Sequence, residues 1–248
     1  MTVVLFYLFL IIFWQMVFEL KILPKYIFPS PTMVVQRLHE LWSDQMLWPS
    51  LKATLQRMIV GFAISVSIGL FLGLMMGMIP VVKQSLKSML LGIQTLPSAA
   101  WVPFSLLIFG LKDSGLYFVI VMSSMGAVAI ATADGIANIP PLYLRAAKTL
   151  GTSRFAMGYR VIFPATLPSV VTGIKLGWTL GWHGAVSAEL IKSSLGLGFL
   201  LDQGRQLNDM PQVLGIMILT ILFGLLLDRF LFGLIEQRIR NRWGLTHP

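Results

Sequence analysis

Long apolar runs without charge constrain this chain more than any other feature of its sequence. Residues 58–79, 88–111 and 114–133 contain no Asp, Glu, Lys or Arg. A helix needs about 20 apolar residues to cross the hydrocarbon core of a bilayer, and a chain in lipid must satisfy its backbone hydrogen bonds internally. The runs are continuous rather than alternating, which favours helices over the strands of a barrel. We therefore predict an all-α, polytopic membrane protein.

Six such runs are predicted to span the membrane within one transmembrane domain, 1–248. Their bounds are about 3–20, 56–79, 88–111, 114–135, 163–189 and 210–234. The composition agrees, because 12% of the residues are charged against roughly 25% in soluble domains. The first and fifth runs are the weakest, since they contain Gln15 and Lys175. The chain starts without a basic region or a small-residue cleavage site, so we expect the first run to be retained rather than removed as a signal peptide.

The distribution of charge predicts the orientation. If the N-terminus lies inside, the inner segments are 80–87, 138–165 and 236–248, and they carry nine basic residues and one acidic residue. The outer segments carry seven of each. Lys and Arg favour the cytoplasmic side, so both termini are expected in the cytoplasm. The net charge of +9 then reflects loops at that surface rather than contact with nucleic acid.

Small residues recur every four positions in two of the predicted spans. The second span carries Gly61, Ser65, Gly69, Gly73 and Gly77, and the fifth carries Gly173, Gly177, Gly181 and Ala185, with Glu189 next in register. Such residues share one helix face and let another backbone approach closely in lipid. We interpret the stripe on the second span as a packing surface. The stripe on the fifth span runs into Trp182, His183 and Glu189. Polar groups at membrane depth usually face a cavity or a partner.

The third span contains Pro97 and Pro103, each of which is expected to remove a hydrogen bond and bend the helix. The result is either a broken helix that lines a cavity or a kinked packing helix. Residues 29–48 predict a short amphipathic helix. Its apolar face holds Val34, Val35, Leu38, Leu41 and Trp42. We expect this helix to lie along the outer membrane surface or to pack on helix ends.

A basic, punctuated stretch interrupts the apolar runs at 138–165. The residues from Pro140 to Gly151 predict one short helix, and 152–168 predict a second, with Pro164 and Pro168 marking the return to the membrane. Gly151 allows a tight turn between the two. Such a stretch can rest on anionic headgroups or receive a soluble partner.

The same stretch resembles the coupling motif of ABC importer permeases, E-A-A-x-x-x-G-x9-I-x-L-P. Ala146, Ala147, Gly151, Val161, Phe163 and Pro164 are in register with it, and Arg145 stands at its acidic position. The stretches FPSPTMVVQRLHELW, QTLPSAAWVPFSLLIFG, GIKLGWTLGWHGAVSAELI and SLGLGFLLDQGRQL resemble the nitrate, sulfonate and taurine branch of these permeases. The likeness covers about residues 24–245.

This resemblance implies a type I ABC importer permease in a bacterial inner membrane. The chain would form the pathway for a small anion such as an aliphatic sulfonate, taurine or nitrate. Its expected partners are a second permease copy, two ABC ATPase subunits, an extracytoplasmic binding protein and membrane lipid. The chain would be no enzyme and would hold no cofactor, because ATP and Mg are bound by the ATPase; it has no G-x-x-x-x-G-K-[ST] loop of its own.

The resemblance also implies roles for particular residues. The loop that couples to the ATPase would include Arg145, Ala146, Ala147, Gly151 and Pro164. The stripe on the fifth span and the prolines of the third span predict, independently of the resemblance, that the pathway or the packing of its helices involves Gly177, Gly181, Trp182, His183, Glu189, Pro97 and Pro103. No metal site is expected: the chain has no Cys, and His39, His183 and His247 lie too far apart for ligand spacing.

One alternative is a secondary transporter or channel for the same class of substrate, with no ATPase. Such a protein would use carboxylates or carbonyls at the bilayer midplane to bind coupling ions. The carboxylates nearest the predicted spans are those of Asp134, Glu189 and Asp228, and all three lie close to span ends. This position argues against the alternative.

Overall fold

The computed structural model describes residues 2–21, 24, 26–192 and 194–233, and every regular element within them is a helix. The α-helices are α1 (Thr2–Glu19), α2 (Pro31–Ser43), α3 (Leu47–Met78), α4 (Pro80–Thr95), α5 (Trp101–Phe109), α6 (Asp113–Ala137), α7 (Pro141–Thr149), α8 (Arg154–Met157), α9 (Phe163–Lys192), α10 (Leu197–Gln206) and α11 (Met210–Leu227). A 3-10 turn forms Ser98–Ala100, and π-helical turns form Gly158–Ile162 and Asp228–Gly233. The predicted all-α fold class is confirmed.

Several of these helices are long and apolar enough to cross a membrane. Four helices are long and apolar enough on their own. They are α3, α6, the helix Phe155–Ile191 that includes α9 up to Ile191, and the helix Met210–Gly233. The pair Pro80–Thr95 and Ser98–Phe109 gives a fifth span if the bent pair is counted as one, and the apolar helix Val4–Glu19 is shorter. These helices overlap the six predicted runs in the same order, and the number of spans and their bounds stay a prediction. The predicted end of the last run at 234 and the basic segment 236–248 lie outside the described residues.

The third predicted span is not one bent helix. The chain bends by 91° between α4 and the turn at Ser98, because Leu96 and Pro97 adopt extended conformations. Helix α4 starts at Pro80, before the predicted start at 88. The expected bend at Pro103 is wrong: Pro103 is the third residue of α5, and in a first turn the missing N–H of proline would have had no partner anyway.

The second short helix predicted for 152–168 is also not a separate element. Helix α8 continues through the π-helical turn into α9, so that Phe155–Ile191 forms one helix of 37 residues. Pro164 is the second residue of α9 and Pro168 lies inside it. Neither proline ends the helix: Pro164 comes directly after the π-helical turn and Phe163, and Pro168 stands within α9.

The described residues divide into two compact units. One unit consists of the residues up to Gln56 together with Val186–Phe223, and the other consists of Arg57–Ala185 together with the residues from Gly224. Helices α3, α9 and α11 contribute residues to both.

In the second unit, α6 packs against the small residues of α3. A Cβ added to Gly69 would lie 2.7 Å from the Val128 Cβ, and one added to Gly73 would lie 2.5 Å from the Thr132 Cβ. The hydroxyls of Ser65 and Ser124 are 2.6 Å apart. The stripe on α3 is therefore a packing surface, as expected for close helix approach in lipid.

The stripe on α9 packs against α6 as well. A Cβ added to Gly177 would lie 3.0 Å from Val128 Cγ2 and 3.2 Å from the Ser124 carbonyl oxygen, and Gly173 contacts Ala131. Helix α6 thus lies between α3 and α9, and most of its middle residues are buried.

In the first unit, α2 packs on α11. A Cβ added to Gly215 would lie 2.9 Å from Leu38 Cγ and 3.4 Å from Val34 Cγ1. The predicted apolar face of α2 is only partly correct, because Val35 is 67% exposed and Trp42 is 59% exposed. The helix also ends at Ser43, five residues before the predicted end at 48.

Polar contacts hold α2 in the same unit. Arg37 Nε donates to Asp209 Oδ2 at 2.6 Å, and Arg37 also donates to the buried Gln212 Oε1 at 3.0 Å. Burial lowers the pKa of Arg37, but its hydrogen bond to Glu40 and the charge of Asp209 outweigh this, so the pKa lies above its usual value. The guanidinium of Arg37 is therefore charged when it contacts Asp209 and Gln212.

The packing of α3 on α6 predicts a large difference between two glycines. Gly73→Ala places a methyl group against the Thr132 side chain and the Ala129 carbonyl, and overpacking of this kind costs about 1–3 kcal/mol. At Gly92, an added Cβ would meet no atom of the described chain within 4 Å, so Gly92→Ala is the matched control. We expect a lower thermal unfolding midpoint in detergent for Gly73→Ala and an unchanged or higher one for Gly92→Ala. Equal midpoints would contradict the packing.

Candidate functional site

The loop that carries the motif is built around a glycine turn. Helix α7 starts at Pro141 and is followed by Leu150 as its C-cap. Gly151 has a φ of +73°, a conformation that disfavours side chains. Its N–H donates to the Lys148 carbonyl at 3.0 Å, and the N–H of Thr152 donates to the Ala147 carbonyl at 3.1 Å. This is the usual hydrogen-bonded end of a helix at a left-handed residue.

The residues of the motif divide between the interior and the surface of this loop. Arg145 and Ala146 are exposed, whereas Ala147 is the one buried residue of α7. Pro164 is half-buried at the start of α9. Ala147 therefore keeps the loop folded, and the exposed positions are the ones available to a partner.

The loop also exposes large apolar side chains. Leu150 is 84% exposed and Phe155 is 89% exposed. The others are Leu142, Tyr143, Tyr159 and Phe163. Together with Arg145 and Lys148 they form a surface that is both apolar and basic, which we call the loop face. Exposed apolar patches of this kind mark interaction sites in proteins.

Most of the residues singled out on α9 pack against other helices of the second unit. Gly181 faces Met58, and the Trp182 ring lies against Gly224. The Trp178 ring contacts Phe62 and Phe232 at centroid distances of 5.2 and 6.1 Å. These side chains therefore hold helices together.

His183 differs from its neighbours because it is exposed and lines a cavity of about 310 Å³. The cavity lies at the break between α4 and the Ser98–Ala100 turn, and Pro97 lines it too. Its other polar lining residues are Gln94, Thr95, Ser98 and Ser123. The structure therefore brings Pro97 and His183 together, whereas Pro103 is not among the residues that line the cavity.

Glu189 takes part in a separate buried cluster in the first unit. Its Oε2 accepts from Thr54 Oγ1 at 2.8 Å and from the Gly198 N–H at 3.2 Å. Thr54 Oγ1 accepts in turn from the Leu197 N–H at 2.9 Å. Glu189 and Thr54 are both fully buried. The carboxylate therefore fastens the start of α10 to α3 and α9, a role that its place after the glycine stripe does not reveal.

The sequence interpretation missed Gln94, Ser98 and Ser123 as cavity residues. These residues could have been identified from the sequence because they are polar and lie inside uncharged apolar runs, where polar groups are costly. Among the described residues, no group of three or more His, Cys, Asp or Glu side chains is arranged to hold a metal ion.

The Glu189 cluster predicts a strong effect of one hydroxyl group. Thr54→Val keeps the shape of the side chain but leaves the buried Leu197 N–H without its acceptor and weakens the set of donors to Glu189. Each unsatisfied buried group costs about 1–3 kcal/mol, so we expect a clearly lower thermal unfolding midpoint. Thr172→Val is the control, since that exposed hydroxyl donates only to the Pro168 carbonyl of its own helix in the described structure. Similar midpoints for the two variants would argue against the cluster.

Comparison with known proteins finds relatives that match most of the chain. It is 33% identical to the nitrate import permease protein NrtB of Leptolyngbya laminosa over 197 residues, which cover 79% of this chain and 70% of that protein. It is 29% identical to the taurine transport system permease protein TauC of Escherichia coli K12 over 219 residues, 86% of this chain and 80% of that one.

The fold is similar to that of a solved transporter chain. A chain of the MetNI methionine ABC transporter in an inward-facing conformation superposes with a TM-score of 0.66 and 16% identity, covering 79% of this chain and 98% of that one. This likeness concerns the fold, which is that of type I ABC importer permeases. Residues 65–241 match the family described as "Binding-protein-dependent transport system inner membrane component". The chain belongs to this family: it is a multi-pass permease subunit of an ATP-driven ABC importer, in which a separate ATPase subunit hydrolyses ATP and a binding protein delivers the substrate.

Proposed function

We propose that this permease imports a small oxyanion such as nitrate, taurine or another aliphatic sulfonate, and that the loop face is where its ATPase binds. The names of the relatives support the substrate class. The observation that carries the proposal for the ATPase is the loop face itself, because it combines exposed apolar side chains with basic ones around the Gly151 turn.

The loop is well placed to transmit movement. Helix α8, the π-helical turn and α9 form one helix of 37 residues, about 55 Å long at roughly 1.5 Å per residue. A displacement of Phe155 by the ATPase would therefore move the start of α9, whose glycines contact α6. The π-helical turn at Gly158–Ile162 is a natural place for bending, since such turns occur at functional positions in helices.

The assembly is proposed to contain two copies of this chain and two ATPase subunits. Each copy would present one loop face to one ATPase, and the two copies together would enclose the pathway. The binding of ATP and Mg belongs to the ATPase, and this chain is proposed to hold no cofactor. The excess of basic residues in 80–87 and 138–165 supports a cytoplasmic position for the loop face and for both termini.

The proposal predicts that a charge on the loop face uncouples the transporter. Leu150→Asp places a carboxylate where apolar contact with the ATPase is expected, while the exposed side chain leaves the membrane helices unaffected. We expect normal amounts of permease in the membrane, at least a tenfold loss of co-purified ATPase, and loss of ATP-driven nitrate or taurine uptake in reconstituted vesicles that contain the binding protein.

Leu207→Asp is the matched control for ATPase binding. Leu207 is the C-cap of α10, is 64% exposed and precedes Asn208, which has a positive φ like Gly151. The Leu207→Asp variant should co-purify with as much ATPase as the wild type does. Full ATPase binding and uptake in Leu150→Asp would contradict the role of the loop face, and a wild-type complex that imports neither anion would contradict the substrate class.

A further inference from the structure

We propose that the cavity at the break in the third span is a recognition site at which the permease itself holds the transported oxyanion, with Gln94 and His183 as the donors. This inference rests on the proposed function, because it assumes that the substrate is a small oxyanion. It assigns a selective contact to the membrane subunit in addition to that of the binding protein.

The size and depth of the cavity suit a small ligand. Its volume of about 310 Å³ is at the lower end of ligand pockets, which are about 300–1,000 Å³. Ser123, on its wall, lies ten residues after Asp113 at the start of α6, or about 15 Å along the helix axis at roughly 1.5 Å per residue. The cavity therefore lies at the middle depth of α6, where a polar lining is costly and marks a functional site.

The hydrogen bonds of the lining residues decide which groups can bind an anion. Thr95 donates its hydroxyl proton to the Gly92 carbonyl at 2.7 Å, and Ser123 donates to the Val119 carbonyl at 2.7 Å. These two hydroxyls offer a ligand only lone pairs, which repel an anion. The side-chain amide of Gln94 and the imidazole of His183 carry N–H groups that can donate to an anion.

The position of Gln94 is fixed by α6. A Cβ added to Gly126 would lie 3.0 Å from Gln94 Cδ and Nε2, so the amide packs directly over this glycine. On the other wall, a Cβ added to Gly184 would lie 2.8 Å from Ser123 Oγ, which shows how closely α9 approaches α6 next to His183. The two donors are thus held on different helices around one cavity.

The charge of the lining fits an ion that must also leave. None of the lining residues, all of which belong to the described chain, is Asp, Glu, Lys or Arg. An anion therefore meets no carboxylate that would repel it and no permanent cation that would trap it. Transport pathways need such weak sites, because an ion must enter and then be released. A sulfonate or nitrate oxygen can accept hydrogen bonds from both donors.

The first test introduces a negative charge at the site. Gln94→Glu replaces a donor with a carboxylate of the same shape, and it should lower the maximal ATP-driven uptake of nitrate or taurine at least tenfold in vesicles containing permease, ATPase and binding protein. The binding-protein concentration that gives half-maximal uptake should not change, because the substitution lies in the cavity lining and alters no loop outside the predicted spans. His183→Leu should also lower maximal uptake, and His183→Gln, which keeps an N–H donor, should restore most of it.

Two controls distinguish recognition from damage to the fold. Gln84→Glu makes the same charge change on the exposed surface of α4, and it should leave uptake within twofold of wild type. Gln94→Glu should keep the wild-type unfolding midpoint and co-purify with the ATPase. Wild-type maximal uptake in both Gln94→Glu and His183→Leu would overturn the recognition site while leaving the proposed function intact.

The second test measures occupancy directly. The chain has no Cys, so Ser123→Cys provides a single thiol in the cavity of the assembled complex. Saturating nitrate or taurine should slow its reaction with a sulfonate-bearing thiol reagent several-fold relative to the same concentration of gluconate. Thr179→Cys, an exposed position on α9, should react at one rate in all three salts. Equal rates at Ser123→Cys in all three salts would overturn the proposal, and a wild-type complex that imports neither anion would overturn both this site and the substrate class.

Discussion

The close contact of α6 with the small residues of α3 and α9 is the constraint on which the second unit depends. In lipid there is little hydrophobic force between helices, so their association relies on close packing and polar contacts. Gly69 and Gly73 let α3 approach the backbone of α6, and Gly177 does the same for α9. Helices α3 and α9 pack on two sides of α6. These contacts therefore also position Ser123 of α6, which lies on the wall of the cavity.

This constraint also explains which parts of the fold can be predicted from the sequence. The apolar runs and the four-residue stripes are local patterns, so they identify the spans and the packing face of α3. Helix α6 carries small residues at the same spacing, Ser123, Ala127, Ala131 and Gly135, which the sequence interpretation did not single out. Its central position depends on partners that are distant in the chain. The pairing of Thr54 with Glu189 across 135 positions likewise has no local signal, and the stripe that ends at Glu189 suggested a pathway instead.

The prolines show the same distinction between local and tertiary effects. A proline lacks an N–H wherever it stands, but the effect of that loss depends on its distance from the helix start. Pro97 lies between two helices and marks a 91° bend, whereas Pro103 falls within the first turn of α5. Pro164 follows the π-helical turn inside a continuous helix, which it does not end. The sequence interpretation treated Pro97 and Pro103 alike, because an apolar run does not show where α5 starts. For the same reason, the sequence did not predict that α8 continues into α9.

The function of the molecule follows from the connection between its polar loop and its packed helices. The loop face carries exposed Leu150 and Phe155, and the helix that begins at the loop continues as α9 along α6. A partner that moves the loop face therefore acts on the helix that carries His183 at the cavity. In this account the ATPase supplies the force, the α8–α9 helix transmits it, and the cavity at the break between α4 and α5 contacts the ion.

The central claim is that the loop face meets the ATPase on the cytoplasmic side of the membrane, and labelling of single cysteines tests it most directly. Ser153 and Asp44 are both exposed, and the natural chain has no Cys. In oriented vesicles, an impermeant thiol reagent should label Ser153→Cys only from the cytoplasmic side and Asp44→Cys only from the opposite side. Bound ATPase should protect Ser153→Cys and leave Asp44→Cys reactive. Labelling of both cysteines from the same side, or unchanged labelling of Ser153→Cys when the ATPase is bound, would contradict the account.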